Sequence, residues 1–400
     1  MKYCCRCLQP DTRPNTLFSA EGVCPACTYH DAVQGVDWTE RIDILTDLLQ
    51  ARRQRRKPGQ FHDCIIGVSG GKDSTRQALW VRDRFDVNPL LVCLSYPPEQ
   101  ATDRGMHNLG NLIDLGFDVV VSAPAPATWR RLKREGFARF TNSFRSTELA
   151  LFSGVPQIAL RHGIDLILWG ENPALQLGDM KTLGKTGYDG NNLRHMNTLS
   201  SGADWMREAG VASQQLLPYQ YPRPEAFIDA GLEIVYLGWF MGDWSLVNNG
   251  LYACTAGLEV RSDGVEATGD LFGLTALDED FTPINQMIKY YKFGFGRTTD
   301  YVNEEIRLGR MSRAQGVALV AAHDHACSPA YIQRYCDYLG ITVDGFWAQV
   351  RAATNRRLFD IDADGRIHRR FIVGQGLPDE APCPAPARST VPGGSHAVLA

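Results

Sequence analysis
Short runs of apolar residues alternate along the chain with longer stretches in which apolar positions recur every three to four residues. That change of period predicts strands separated by helices. Five runs read as strands, at 64–68, 90–94, 119–121, 166–169 and 234–238, and the segments 75–85, 104–115 and 129–160 carry helical spacing. Strands apolar on both faces need helices on both faces, so the pattern predicts an α/β fold with a doubly wound, mostly parallel sheet. A helical pattern at 39–49 runs into the basic cluster Arg52-Arg53-Gln54-Arg55-Arg56-Lys57, which reads as a solvated helix end.

Past the fourth strand the pattern is lost. Residues 173–224 are rich in Gly, Asn and polar groups, among them Lys181, Lys185, Tyr188, Asn191, Asn192, Arg194 and His195, as expected of a lid or substrate loop. The aromatic patch at 239–244 reads as core, with a sugar platform as the alternative. Helical spacing returns at 285–293, 300–308, 312–322, 328–340 and 343–358, with Ser312 and Ser328-Pro329 as start signals. After Gly376 the chain has little to bury and is expected to be disordered. The resulting division is 1–35 a cysteine-rich module, 36–245 the sheet domain, 246–376 a mainly helical substrate or partner region, and 377–400 a tail.

With 400 residues and 44% apolar composition the chain can build substantial cores. Its net charge of −4 argues against a nucleic-acid partner, and no apolar run reaches bilayer length, so no membrane insertion is expected. No signal peptide is recognised at the start, and a cytoplasmic, reducing compartment is expected.

Chemistry enters at the end of the first strand, where Ser69-Gly70-Gly71-Lys72-Asp73-Ser74 leads into a helix. Glycines let successive N–H groups close around phosphate oxygens, the helix start favours an anion, and Lys72 adds a mobile charge. Ser69 and Ser74 can donate hydroxyls, and Asp73 can hold Mg²⁺ against the phosphates. The run resembles the SGGxDS signature of the PP-loop (N-type) ATP pyrophosphatases, which implies an adenine nucleotide alpha-hydrolase-like fold and ATP cleavage between the α- and β-phosphates. In such a sheet ligands bind beyond the carboxyl ends of the strands. Adenine is therefore expected near Leu94 and Ser95, and the reacting group near Gly170 and Glu171, although a Glu there could equally be a structural ion-pair partner.

Cys4-x-x-Cys7 and Cys24-x-x-Cys27 have the spacing of two zinc knuckles, which predicts a four-thiolate structural Zn²⁺ site closed to water. Cys5, inside the first knuckle, is the poorer ligand. The scattered Cys64, Cys93, Cys254, Cys327, Cys336 and Cys383 read as small hydrophobes.

The knuckles, GVSGGKDS at 67–74, LWGENPALQLG at 168–178 and YYKFGFGRTTDYVNEEIRLGRMSR at 290–313 together resemble the N-acetyl sugar amidotransferase family of the WbpG and PseA type, over nearly the whole chain to Phe371. The resemblance implies conversion of an acetamido group on a nucleotide-activated sugar to an acetamidino group, in surface polysaccharide (lipopolysaccharide, O-antigen) or nonulosonic acid biosynthesis. It implies ATP and ammonia as co-substrates, with ammonia supplied by glutaminase-like and cyclase-like partner subunits. On that basis Lys72 and Asp73 are expected to be catalytic, Glu171 to orient the amide or take a proton, and Lys292 and Arg297, with Lys289, to reach the phosphates or acidic groups of the sugar. A solvated basic helix face is the alternative for those three. A tRNA thiolase sharing the loop and knuckles, and a non-catalytic zinc-ribbon adaptor, are the rival functions.

Overall fold
The five apolar runs become five parallel strands, β1 (Cys64–Val68), β2 (Pro89–Leu94), β3 (Val119–Ser122), β4 (Leu166–Trp169) and β5 (Glu233–Tyr236), in the order β3-β2-β1-β4-β5. The structure is a computed structural model that describes residues 1–56, 58–171, 173–174, 178, 186–200 and 202–380. The chain winds outward from β1 to β3 and then returns to add β4 and β5 on the other side. The direction of winding therefore reverses between β1 and β4, which opens a crevice at their carboxyl ends.

Alternate strand residues supply two cores. On one face Ile66, Val68, Leu91, Cys93, Leu166 and Leu168 pack against Leu45 and Leu49 of α2 (Trp38–Gln54), Leu79 of α3 (Lys72–Phe85), and Leu109 and Leu112 of α4 (Asp103–Asp114). On the other, Ile65, Leu90, Val92, Ile167 and Trp169 meet Trp129 and Leu132 of α5 (Pro126–Phe140) and Leu149, Phe152 and Val155 of α6 (Arg145–His162). Phe281, Met287, Tyr335 and Phe346 from the carboxyl-terminal helices join this second core. The mostly helical end of the chain is thus built onto one face of the sheet.

Several local expectations change. The helix read through 129–160 is two, broken where Thr141 adopts φ 45° and the Asn142 side chain takes the Phe144 N–H at 2.8 Å. The last helix stops at Ala353, and a hairpin of Phe359–Ile361 with Ile367–Arg369 follows. Arg52 is not solvated: it is buried, pairing with Asp165 at 2.9 Å and with Glu233, and so ties α2 to the starts of β4 and β5. Its neighbour Lys57 lies outside the described residues. The order of the chain continues past Gly376, since Leu377 is buried and Glu380 pairs with the amino terminus and Arg357. Residues 381–400 lie outside the described part, as do Lys181 and Lys185 of the expected loop. Phe240, Met241 and Trp244 of the aromatic patch are core.

The amino-terminal module docks on the helical end. Leu8 N–H donates to Asn303 Oδ1 at 2.7 Å, Asn303 Nδ2 to Gln9 Oε1 at 3.1 Å, and Arg313 Nε to the Cys7 carbonyl at 3.3 Å.

Candidate active site
At the end of β1 the chain turns through Gly70, whose φ of +74° suits glycine and whose absent Cβ would lie 3.0 Å from the α4 backbone at Asn108 and Leu109. Gly70 therefore packs the turn against α4, while Ser69, Gly71, Lys72, Asp73 and Ser74 line a cavity of about 240 Å³. Gly71 caps α3, and Thr75 N–H is bonded to its carbonyl at 3.0 Å, so the N–H groups of Lys72, Asp73 and Ser74 precede the helical ladder and are available to an anion. Gly71 N–H donates to Ser69 Oγ at 3.3 Å and Ser74 Oγ to the Gly71 carbonyl at 3.0 Å, which holds the turn in shape.

Lys72 is buried and its Nζ lies 2.8 Å from Asp73 Oδ2. The other oxygen of Asp73 accepts from Asn249 Nδ2 at 2.7 Å. Asn249 sits on the helix Leu246–Thr255, a segment that sequence reasoning did not single out. Asp73 is a hard oxygen donor in the cavity wall beside an anion-binding helix start, and so fits a divalent cation shared with phosphate; Lys72 occupies that oxygen here.

The cavity continues over Leu94 and Ser122 to Trp169, Gly170 and Glu171, and Gln77, whose Oε1 has no partner among the described residues, also lines it. Ser95 is not in the wall: its N–H is spent on the Ser122 carbonyl at 2.9 Å. Glu171 is reached by solvent within the cavity, yet the protein around it raises its proton affinity, and the charge of Asp73 adds to the effect. Leu274, Thr275, Ala276, Leu277 and Asp278 complete the wall. Burial, then the charge of Glu279, pushes the Asp278 carboxyl up to about 7. Arg261 fixes this wall by donating to the carbonyls of Ala276 and Glu279 at 2.7 Å.

The expected cations do not gather here. Lys289 and Arg297 surround Asp300, at 3.0 and 4.0 Å, together with Arg13. Burial opposes ionisation of Asp300, but the three cations overcome it and hold the carboxyl well below its usual range. Lys292 Nζ donates to the Phe140 carbonyl at 2.9 Å. The cleft beside Arg297 holds about 10 Å³, room for a single water. In this structure a half-buried carboxylate and a helix-end carbonyl engage these three side chains.

The four knuckle cysteines are fully buried, and their sulfurs all lie within 4.8 Å of one another, with Cys7–Cys24 at 3.6 Å and Cys4–Cys27 at 3.9 Å. Cys24 N–H points at Cys4 Sγ (3.2 Å) and Gln9 N–H at Cys7 Sγ (3.4 Å), contacts that suit sulfurs bound to a metal. The cluster can hold a metal. Cys5 turns away, its Sγ lying 3.5 Å from the Glu21 carbonyl.

The sheet order, the SGGKDS turn at its switch point and the cavity beside it define an α/β chain with a phosphate-loop turn that resembles the PP-loop class. Its carboxyl-terminal part is more particular: residues 272–370 match the family described as "LPS biosynthesis protein WbpG-like, C-terminal domain", in line with the resemblance carried by the KFGFGR segment. No curated protein matches the chain. Among solved structures it is similar to an NH3-dependent NAD synthetase from Campylobacter jejuni, with 12% identity over 57% of this chain and 100% of that one and a TM-score of 0.29. It is similar also to an NMN synthetase from Francisella tularensis, with 14% identity, 49% and 93% coverage and a TM-score of 0.28. A third likeness is to the U34-tRNA thiolase NcsA from Methanococcus maripaludis with its [4Fe-4S] cluster, with 10% identity, 78% and 91% coverage and a TM-score of 0.24. Among the described residues no helix is long and apolar enough to cross a membrane.

Proposed function
We propose that this chain is an ATP-dependent amidotransferase that turns an acetamido group of a nucleotide-activated sugar into an acetamidino group. One observation carries the proposal: the cavity at the phosphate loop is also lined by residues 274–278, which fall within the part of the chain that matches the WbpG-like domain. A phosphate-binding turn and the domain that distinguishes the family thus share one space.

In this scheme the amide carbonyl oxygen attacks the α-phosphorus of ATP, the bond to the β-phosphate bridging oxygen breaks, and pyrophosphate leaves. Ammonia then adds to the amide carbon, AMP departs with the former carbonyl oxygen, and the surplus proton passes to a base. The helix start at 72–74 and the Ser69 and Ser74 hydroxyls would hold the pyrophosphate, and Lys72 would follow its developing charge. A bound magnesium ion on Asp73 would offset phosphate charge. Glu171, with its raised proton affinity, is suited to take the proton from incoming ammonia. Zinc is the metal that best suits the cysteine cluster, because thiolates on separate irons of a cubane would stand farther apart than these sulfurs do. Ammonia from glutaminase-like and cyclase-like partners completes the proposal.

Against a sulfur-relaying thiolase, no cysteine lines the cavity among the described residues, and burial pushes the Cys93 thiol, on a neighbouring strand, up to about 12. The test is release of pyrophosphate and AMP from Mg-ATP with ammonium and a panel of UDP- and CMP-linked acetamido sugars, with mass spectrometry of each sugar. Exchange of O for NH together with AMP is the expected result; ATP cleavage only with tRNA, or no cleavage with any acceptor, would overturn the proposal.

A further inference from the structure
We infer that Asn249 is the positioning residue that sets the orientation in which the Asp73 carboxylate faces the phosphates and their cation, an inference that rests on the nucleotide site proposed above. Asn249 is fully buried on the helix Leu246–Thr255, which packs along α3, the helix that begins at the phosphate loop. Both ends of its amide are committed. Nδ2 donates to Asp73 Oδ1 at 2.7 Å, and Oδ1 accepts from Arg76 Nη1 at 2.7 Å. Turning the amide over would set its NH₂ group against the guanidinium and its oxygen against the carboxylate, so the two charged neighbours fix its orientation. Arg76 is itself held, with Nη2 at 2.5 Å from Asp243 Oδ2. The chain Asp243–Arg76–Asn249–Asp73 therefore runs from a largely exposed carboxylate to the cavity wall.

Without Asn249 the Asp73 carboxylate would have only Lys72 to fix its rotation about its last bond, and a bound phosphate would compete for that lysine. A neutral donor on Oδ1 stops that rotation without cancelling the charge, and leaves Oδ2 as the oxygen that meets Lys72 at 2.8 Å. When phosphate draws Lys72 away, Oδ2 is the ligand already aimed at the cation. A carboxylate in place of Asn249 would repel Asp73, and an apolar side chain would let it turn.

The test separates cation binding from nucleotide binding and from turnover. The full-length protein and its Asn249→Ala variant are titrated with a non-hydrolysable ATP analogue in EDTA, and again with rising Mg²⁺ at fixed analogue. Fold is checked by circular dichroism and metal content. The expected result is an affinity in EDTA unchanged within about twofold and a Mg²⁺ midpoint raised about tenfold or more, the size of one lost hydrogen bond to a charged group. Asn249→Ser, which leaves room for a water, is read in the same way if the alanine variant does not fold. Equal losses with and without Mg²⁺, or an unchanged midpoint, would overturn the inference while leaving the nucleotide site standing. Failure of the unaltered protein to bind the analogue under any condition would overturn the nucleotide site, and the inference with it.

Discussion

The Asp324 carboxylate receives the Gly296 N–H at 2.7 Å and, on its other oxygen, the Thr299 N–H at 2.8 Å. The Thr299 hydroxyl adds a third bond at 2.7 Å. One carboxylate thus caps the helix Arg297–Arg307 from a distant segment, and a Cβ on Gly296 would stand 2.1 Å from the Asp324 carbonyl oxygen. The most distinctive sequence segment, KFGFGRTT, is therefore a joint in the architecture, whose glycine permits the contact and whose threonine completes it.

Removing that joint is costly. Asp324→Ala leaves buried N–H groups unpaired and is expected to lower stability by about 3 kcal/mol in urea melts, with Gly296→Ala costing about 2 kcal/mol or more through the forced shift. Arg297→Gln, by contrast, should affect stability more than the affinity for nucleotide, because its neighbour is Asp300 and not the phosphate cavity.

Lys72→Met should retain the fold and reduce AMP formation, measured as pyrophosphate release at saturating acceptor, by about 10²–10³-fold, the usual size of one lost electrostatic group at a developing charge. A reduction under tenfold would remove Lys72 from the chemistry.

Asp278 makes stability depend on pH with a definite sign. The folded state keeps its proton up to about 7, whereas an unfolded aspartate loses it near 4, so the folded state binds more protons in that window and stability falls as pH rises through it. Asp278→Asn mimics the protonated form. It should match the unaltered protein near pH 4 and exceed it at pH 8 by about 2 kcal/mol, roughly half the full linkage value because the side chain is partly solvated. Equal melts at pH 8 would contradict this.

The cysteine cluster predicts a contrast between two buried cysteines of the same module. Cys24→Ser should lose bound metal and about 3 kcal/mol or more of stability, seen together by elemental analysis and thermal melting, while Cys5→Ser keeps both. Because the module is bonded to Asn303, loss of metal should also loosen the helix Arg297–Arg307, which hydrogen exchange would detect.

Much of this was legible in the chain. Runs such as Cys64–Val68 are apolar on both faces, and only a covered parallel sheet accommodates them; the SGGKDS turn and the CxxC pairs act over a few neighbouring residues, so spacing carries their geometry. The strand-end rule brought Leu94, Gly170 and Glu171 to one rim, and all three line the cavity. Ser95 does not line the cavity and gives its N–H to the Ser122 carbonyl, and Gly70 packs the turn against α4.

What the sequence determined by itself was whatever depends on local period and local spacing: the elements, the phosphate turn, the cysteine cluster and the resemblance of the carboxyl-terminal part. Only the tertiary structure decided which charges meet. Lys289, Lys292 and Arg297 resemble phosphate ligands in a linear reading, yet Asp300 and the Phe140 carbonyl claim them. Asn249 and the 274–278 wall, silent in sequence, reach the cavity from far along the chain. The reason is physical: a buried charge must be satisfied by whatever the packing brings within about 3 Å, and that partner is chosen by the fold of the whole chain.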